Sequence, residues 1–90
     1  MKRYLVETYL ARGATAERVA HERRARSAAE DLARESKRVR FDRSIHVPED
    51  EICFFVFDAS SSDDAALVAK RAGLDPVRIV EAISSGEEEK

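Results

Sequence analysis

The sequence predicts an α+β domain in which two helices cover one face of a four-stranded antiparallel sheet. Three features of the 90-residue chain lead to this prediction. An apolar hairpin lies in the middle of the chain, within the segment KRVRFDRSIHVPEDEICFFVFD from Lys37 to Asp58. A helical pattern with small apolar residues stands on each side of this hairpin. An alternating strand pattern stands near each end of the chain, so the order of elements is β-α-β-β-α-β.

The first strand is predicted over Arg3 to Tyr9, where side chains alternate between two faces. Thr15 is a good N-cap for a helix that runs from Ala16 to about Ser36. The second half of this helix has an apolar stripe composed of Ala25, Ala28, Ala29, Leu32 and Ala33. Because the stripe consists mostly of alanine, the helix should pack close to the sheet. Val19 and Ala20 do not lie on this stripe, so we expect the first turns to face something else.

The central hairpin is predicted from two runs of different character. The first run, Val39 to Val47, alternates, which predicts one shared face for Val39, Phe41, Arg43, Ile45 and Val47. The second run, Ile52 to Phe57, is continuously apolar and indicates a central strand that is buried on both faces. A turn over Pro48 to Glu51 pairs the two runs so that His46 faces Cys53. A slip of one residue in this register would exchange the two faces.

The second helix is predicted over Asp63 to Ala72, with Ser61 at its N-terminal cap and Gly73 as the left-handed residue after its end. Its inward stripe is composed of Ala65, Val68, Ala69 and Ala72. The dipeptide Asp75-Pro76 is suited to start one more helical turn. Arg78 to Ile83 then alternates as a last strand.

Right-handed connections between these elements produce the ferredoxin-like architecture. We expect residues 1–83 to form a single ferredoxin-like domain, and residues 84–90, SSGEEEK, to form a disordered acidic tail. Two helices cover only one face of such a sheet. The other face is therefore expected to pack against the sheet of a second copy, in a homodimer of the dimeric α/β-barrel type.

Composition restricts the partners of the protein. No stretch approaches the ~20 consecutive apolar residues of a membrane-spanning helix, so no membrane partner is expected. Residues 1–43 carry 12 Lys/Arg and 7 Asp/Glu, whereas residues 44–90 carry 4 and 11. Neither half is basic enough to indicate a nucleic-acid partner. The single cysteine cannot form an internal disulfide, which favours a cytoplasmic protein.

The two histidines and the cysteine are the residues best suited to a site. His46 and Cys53 are soft ligands that could hold nickel or zinc, together with Glu49, Glu51 or a residue of a partner chain. The plainer interpretation makes Cys53 a small buried hydrophobe and His46 a residue near the turn. His21 could face a space between helix and sheet and act as an acid or base. Its plainer interpretation is a hydrogen-bonded histidine at the edge of the core.

Three segments resemble a known family: R-Y-L-V-E near the start, V-R-F-D-R-S-I-H-V-P-E-D-E-I-C-F in the hairpin, and A-K-R-A-G-L-D-P-V-R-I-V-E-A near the end. They resemble a family of small bacterial proteins of largely unknown function that includes a nickel-binding protein. The resemblance covers about Arg3 to Ala82 and implies a ferredoxin-like fold, a homodimer and, in one branch, nickel binding. That branch has a histidine pair where this chain has Thr8 and Tyr9, and a further histidine where this chain has Arg40.

Two functions remain open from the sequence. The leading one is a small, non-catalytic dimeric binding protein that holds a small ligand or a transition metal. The alternative is a small enzyme of the dimeric α/β-barrel kind, monooxygenase-like or isomerase-like, that acts on a small organic compound. The ligand-binding candidates are Tyr4, His21, His46 and Cys53, and the last two are the metal candidates. No residue is given a catalytic role, because no spacing specifies a nucleophile with its base.

Overall fold

The computed structural model describes residues 1–85. Its strands are β1 (Lys2–Tyr9), β2 (Val39–Val47), β3 (Ile52–Ala59) and β4 (Pro76–Ala82), and its helices are α1 (Thr15–Arg34) and α2 (Ser62–Arg71). A short 3₁₀ helix, Pro48–Asp50, joins β2 to β3. The order of elements is β-α-β-β-α-β, as the sequence predicted.

The sheet is antiparallel throughout, and its strand order is β2-β3-β1-β4. β3 and β1 are therefore central, and β2 and β4 form the two edges. Both helices pack into a single core on one face, which we call the helix face. The opposite face of the sheet is the open face. This arrangement is the ferredoxin-like α+β fold that the sequence predicted.

The core lies between the helices and the central strands. The helices contribute mostly small residues to it: Ala25, Ala28, Ala29 and Leu32 from α1, and Ala65, Val68 and Ala69 from α2. Because alanines let the helices approach the sheet closely, Phe55 and Phe57 of β3 fill the space between the layers with no exposed surface. Ala33, which was predicted in the stripe, is exposed because it lies about 100° around the helix from Leu32.

β3 is buried on both of its faces in its middle part. Phe55 and Phe57 point to the helix face and are 0% exposed, and Val56 points to the open face and is 3% exposed. A strand that has no solvent-exposed face needs no polar side chains in its middle. The prediction of a central strand from the continuous apolar run is confirmed.

β2 contains a β-bulge that the sequence analysis did not predict. Its register with β3 shifts between Phe41 and Arg43, which leaves Asp42 as an extra residue. A bulge of this kind reverses the direction of the side chains that follow it. The prediction of one shared face for five residues is therefore wrong. Val39 and Phe41 lie in the core, whereas three residues lie on the open face, namely Arg43, Ile45 and Val47.

The start of α1 differs slightly from the prediction. The helix begins at Thr15, and Ala14 occupies the N-cap position without a side-chain hydrogen bond. Thr15 is therefore the first helical residue rather than the cap. The helix ends at Arg34, two residues before the predicted Ser36. Helix ends fray readily, and differences of this size do not alter the packing.

The connection from α2 to β4 confirms one prediction and overturns another. Gly73 has a φ of 73°, the left-handed conformation expected after a helix end. The helical turn predicted at Asp75-Pro76 is absent from the described chain, because Pro76 is the first residue of β4. β4 is an edge strand, and an edge tolerates a residue without an N–H at its start.

The N-terminal cap of α2 allows a stability prediction. Ser61 Oγ accepts a hydrogen bond from the backbone N–H of Asp64 at 3.2 Å, which confirms Ser61 as the cap. Ser61→Ala should lower the free energy of unfolding by about 1 kcal/mol, because an N–H at the helix start loses its acceptor. Urea denaturation measures the change, with exposed Ser60→Ala as the control. Equal stability of the two variants would contradict the role of this cap.

The C-terminal residues 86–90 lie outside the described part of the chain. The disordered tail predicted over residues 84–90 falls mostly on them, so it stays a prediction. Among residues 1–85, neither helix has the length and apolar character needed to cross a membrane.

Candidate functional site

The sheet-facing stripe of α1 changes character along the helix. Ala25 begins its buried half. One and two turns earlier, at the same side of the helix, stand His21 and Arg18, with Glu22 beside them. The side chains of Arg18, His21 and Glu22 are 28%, 18% and 27% exposed. A polar stripe that points towards a sheet departs from the usual pattern of a packed helix, and such departures mark candidate functional sites.

The bulge in β2 places two polar side chains opposite this stripe. Ser44 pairs with Phe55, and His46 pairs with Cys53. Phe55 and Cys53 are fully buried on the helix face, so Ser44 and His46 share that face. The predicted pairing of His46 with Cys53 is confirmed. If Asp42 were paired in regular alternation, with no bulge, both side chains would point to the open face.

Arg18 connects the helix to the strand. Its Nη1 donates to Glu22 Oε1 at 3.1 Å and to Ser44 Oγ at 3.5 Å. A guanidinium has five N–H donors, and these two contacts use one nitrogen. Its remaining donors are suited to a bound carboxylate or carbonyl group. The polar cluster between helix and sheet is thus composed of Arg18, His21, Glu22, Ser44, His46 and Cys53.

His21 is the most unusual member of the polar cluster. Its ring meets the Phe55 ring edge-on, with centroids 5.9 Å apart. Its Nε2 lies 3.9 Å from Glu17 Oε1, whereas its Nδ1 is buried and has no hydrogen-bond partner among the described residues. Burial and the nearby Arg24 guanidinium lower the pKa of His21 below 6.5, against an opposing contribution from Glu17. The side chain is therefore neutral at pH 7 and has one buried ring nitrogen without a partner.

The lowered pKa of His21 predicts a loss of stability in mild acid. Well above pH 6.5, the ordinary pKa, His21 is neutral in both the folded and unfolded states, so its shifted pKa has no effect on stability there. As the pH falls below that value, the unfolded chain binds the proton first, and the free energy of unfolding decreases. His21→Phe keeps a ring against Phe55 and should show a smaller decrease between pH 7.5 and 5.5.

Glu17→Gln is the matched variant for this measurement. It removes the carboxylate that raises the pKa of His21, so its loss of stability on acidification should be steeper than that of the wild type. Urea denaturation at several pH values compares the three proteins. Identical pH slopes would contradict a neutral, desolvated His21.

Cys53 is held as a buried thiol. It is 0% exposed, and burial raises the pKa of its thiol to about 11. Its carbonyl oxygen accepts a hydrogen bond from Thr8 Oγ1 at 3.2 Å. Because the thiolate is the reactive form, a thiol with this pKa is a poor nucleophile at neutral pH. The interpretation of Cys53 as a small buried hydrophobe agrees with this geometry.

Among the described residues, His46 and Cys53 have no third metal-ligating side chain beside them. Across residues 1–85, no group of three or more His, Cys, Asp or Glu side chains is placed to hold a metal ion. A zinc site uses about four donors, and this pair supplies two, one of them a protonated thiol. The Nε2 atom of His46 lies 3.4 Å from the Leu10 carbonyl oxygen. Nickel or zinc binding stays a prediction that needs donors from a second chain.

Tyr4 lies apart from the other candidates. It points to the helix face and is 3% exposed, and it pairs with Phe57 in the sheet. Along β1, Thr8 is the residue that pairs with Cys53, so Tyr4 is four residues, or about 13 Å, further along the strand. The structure therefore groups three of the four predicted ligand candidates and leaves Tyr4 in the core.

Three members of the polar cluster were missed by the sequence analysis. Charged residues on a helix usually face solvent, so Arg18 and Glu22 were not among the candidates, although the stripe through Ala25 predicts their position when it is extended towards the helix start. Ser44 had no comparable signal, because its direction depends on the bulge at Asp42. A bulge inside an alternating run leaves no mark in the hydrophobic pattern.

The open face carries an ion network at one end. Asp58 accepts hydrogen bonds from Arg3 Nε at 3.1 Å and Arg40 Nη2 at 2.7 Å. Asp42 lies 3.1 Å from Arg3 Nη2 and 3.2 Å from Arg43 Nε. Burial by itself would raise the pKa of Asp58, but the hydrogen bonds from Arg3 and Arg40 outweigh it and hold that pKa below its usual value. The network ties β1, β2 and β3 together without any helix over them.

The middle of the open face is apolar. Leu5 lies between Val56 and Val80 in the sheet, and Phe54 pairs with Ile45. These five residues form what we call the apolar patch. Ile45 at its edge is 47% exposed and Val56 at its centre is 3% exposed. Leu5, Phe54 and Val80 are half-buried. Partly exposed apolar side chains grouped on one face of a sheet indicate an interaction surface.

Three shallow grooves on the surface of the described residues have volumes of about 250, 360 and 200 Å³. The first lies between α1 and β2, the second runs along α1 from Val19 to Glu30, and the third lies beside Arg71 at the end of α2. None of these three is lined by Tyr4, His21, His46 or Cys53. A deep cavity in which two of those residues converge was the expected sign of an enzyme, and these grooves do not provide it.

A solved structure has a similar fold. The crystal structure of SCO4226 from Streptomyces coelicolor A3(2) matches with a TM-score of 0.68 and 19% sequence identity, over 92% of this chain and 98% of that chain. At this level of identity the similarity shows the fold alone. No family model and no curated protein matches the sequence.

Proposed function

We propose that this protein is a non-catalytic binding protein that works as a homodimer and holds a small polar ligand at the polar cluster. The observation that carries the proposal is the polar stripe of α1. A helix that faces a sheet stabilises a fold best with apolar side chains, and here Arg18, His21 and Glu22 stand in those positions. Binding is a function that explains why such residues are present at a stability cost.

The chemistry of the cluster favours a small organic acid with a hydroxyl group. Arg18 offers N–H donors to a carboxylate. His21 Nδ1 is buried without a partner, and in the neutral ring it can accept a hydrogen bond from a hydroxyl group when Nε2 carries the proton. Residues three apart on a helix have Cβ atoms about 5–6 Å from each other. A carboxylate and a hydroxyl separated by a few bonds span that distance.

The state of Cys53 supports binding rather than covalent chemistry. Its thiol has a pKa raised to about 11 by burial, so a covalent intermediate on this residue is disfavoured at neutral pH. Glu22, the carboxylate of the cluster, is paired with Arg18 at 3.1 Å. One of its carboxylate oxygens is thus engaged by the protein rather than left free for a substrate.

The open face supports the homodimer. The Cα atoms span 36 × 31 × 17 Å, which is the shape of one sheet with one helix layer. A face of that size is large enough to bury the roughly 800 Å² per partner that a stable interface uses. Self-association of the apolar patch through a two-fold axis would remove Leu5, Phe54 and Val80 from water together.

A thermal-shift assay tests the ligand proposal. The panel contains small hydroxy acids, their analogues without the hydroxyl group, and Ni²⁺ and Zn²⁺ alone. We expect at least one hydroxy acid to raise the Tm by several degrees, since ligand at about 100 times its Kd stabilises by about 2.7 kcal/mol. Arg18→Met and His21→Phe should each reduce this shift.

Arg23→Met is the matched control for Arg18→Met. Arg23 is an exposed arginine on the same helix, so its loss should leave the ligand shift unchanged. A shift that survives both Arg18→Met and His21→Phe would move the binding site elsewhere. Absence of any shift across hydroxy acids and metals would contradict the proposed function.

A further inference from the structure

The edge of the sheet at β2 has a second feature, which is separate from the polar cluster. β2 pairs with β3 on one side, and no described strand pairs with its other side. About half of the backbone N–H and C=O groups of β2 point away from β3, and these groups are therefore available to an incoming strand. Beside this edge lies the groove of about 250 Å³ between α1 and β2.

This edge groove has an apolar floor and a basic rim. Its floor is made of Ala29, Ala33, Val39 and Phe41, and its rim includes Arg26 and Arg40. The Arg26 guanidinium carbon lies 5.1 Å from the centre of the Phe41 ring, a cation–π distance. Glu30 is the carboxylate of the rim. The groove is smaller than the roughly 300–1,000 Å³ of a pocket for a whole organic ligand, and its size suits one or two amino-acid side chains.

The charged side chains along β2 determine which kind of strand can pair with this edge. Arg40 and Arg43 contact Asp58 and Asp42, yet the side chain of each arginine is 68% exposed, and Arg38 is also exposed. Pairing of two β2 edges from two copies would bring these arginines against their own copies, which is unfavourable. The bulge at Asp42 further discourages a flat, regular pairing of like edges. A second copy is therefore a poor occupant of this edge, and a segment with acidic residues is a good one.

We propose that the β2 edge and the edge groove bind an extended acidic peptide segment, which adds as a strand to the sheet. Alternate side chains of an added strand point to opposite faces. One set, apolar, would enter the groove over Phe41, and the other set, acidic, would face Arg40 and Arg43. Recognition of this type takes affinity from main-chain hydrogen bonds and specificity from pockets for alternate side chains.

Fluorescence anisotropy with a labelled peptide tests the proposal. The probe is fluorescein-Glu-Val-Glu-Val-Glu-Val-Glu, and the control peptide replaces each glutamate by lysine. We expect the acidic peptide to bind and the basic peptide not to bind. Arg26→Ala should weaken binding by roughly tenfold, because it removes the side chain that packs over Phe41 and walls the groove around the apolar side chains of the peptide. Ala33→Trp, at an exposed position, should weaken it by filling the groove.

Three controls distinguish strand addition from non-specific electrostatic binding. Arg23→Ala removes an exposed arginine of α1 outside the edge groove, and it should leave the affinity unchanged. Two further peptides carry N-methyl groups at alternate residues, one at the odd and the other at the even positions. One of them should lose binding and the other should keep it, because only one set of N–H groups faces β2. Circular dichroism verifies that Arg26→Ala and Ala33→Trp are folded.

The following results would overturn the proposal. The acidic peptide does not bind at millimolar concentration, or Arg23→Ala weakens it as much as Arg26→Ala does. Equal binding of the two N-methylated peptides and the unmodified peptide would also overturn it. So would labelled U10 RNA that binds more tightly and displaces the peptide, because the edge would then be a basic patch for nucleic acid. None of these outcomes depends on the ligand proposed for the polar cluster.

Discussion

Phe55→Ala should lower the free energy of unfolding by about 3–5 kcal/mol. Phe55 is 0% exposed, and its ring lies against His21 on α1 and Phe41 on β2. Removing it leaves a cavity between helix and sheet that the rigid strands cannot close. A domain of this size has a total stability of about 5–15 kcal/mol, so a large part of it would be lost. Urea denaturation followed by circular dichroism measures the change.

Phe54→Ala is the matched variant, one residue earlier on the same strand. Phe54 points to the open face, where it pairs with Ile45. Its loss should leave the secondary structure of the protein intact and weaken self-association. If Phe54→Ala and Phe55→Ala unfold at the same urea concentration, the two faces of β3 are not distinct in the way the structure describes.

Ile45→Arg should convert the proposed dimer into a folded monomer. Ile45 is 47% exposed in the single chain, so arginine is accommodated without damage to the core. In a sheet-to-sheet dimer the same arginine would be buried without a partner charge, which costs several kcal/mol and raises the dimer Kd by at least about 100-fold. Analytical ultracentrifugation over a range of concentrations measures this Kd.

Val19→Arg is the control for this change. Val19 is 42% exposed, similar to Ile45, but it lies on α1, on the helix side of the sheet, beside the groove of about 360 Å³. The dimer Kd of Val19→Arg should equal that of the wild type. A wild-type protein that sediments as a monomer at every concentration would contradict the dimer, and so would an Ile45→Arg variant that dimerises normally.

The fold could be predicted from the sequence because its signals are local and mutually consistent. The continuous apolar run at Ile52 indicates a central strand, and the alanine stripe of α1 indicates a helix packed close to a sheet. Ser61 caps the start of α2 and Gly73 follows its end, and both positions are set by backbone hydrogen bonding. Each of these features depends on residues near each other in the chain.

The site was harder to predict because it depends on two details without a local signal. The bulge at Asp42 decides that Ser44 and His46 share the helix face with Cys53, and alternation alone assigns Ser44 and His46 to the opposite side from Phe41. The inward position of Arg18 was hidden by its pairing with Glu22, which resembles an ordinary solvent-exposed pair. Charged residues on a helix are usually exposed. The composition of α1 therefore indicated an exposed Arg18, whereas the periodicity of its apolar stripe indicated a sheet-facing one.

Tyr4 shows a different limit of sequence reasoning. A tyrosine on a central strand is suited either to the core or to a ligand site, and alternation gives the same answer for both. The structure places Tyr4 in the core opposite Phe57. Its distance from Cys53 follows from the register of β1 with β3, which no short segment of the sequence determines.

Native mass spectrometry of the purified, tag-free protein tests the central claim most directly, because it reports subunit number and bound ligand together. The protein is titrated with the hydroxy acids of the thermal-shift panel and separately with Ni²⁺ and Zn²⁺. We predict a species of twice the 10.1 kDa chain mass that takes up a hydroxy acid. This uptake should be lost in Arg18→Met and in His21→Phe and kept in Arg23→Met. A species of one chain mass, or a dimer whose uptake is the same in all four proteins, would contradict a homodimer with its ligand at the polar cluster.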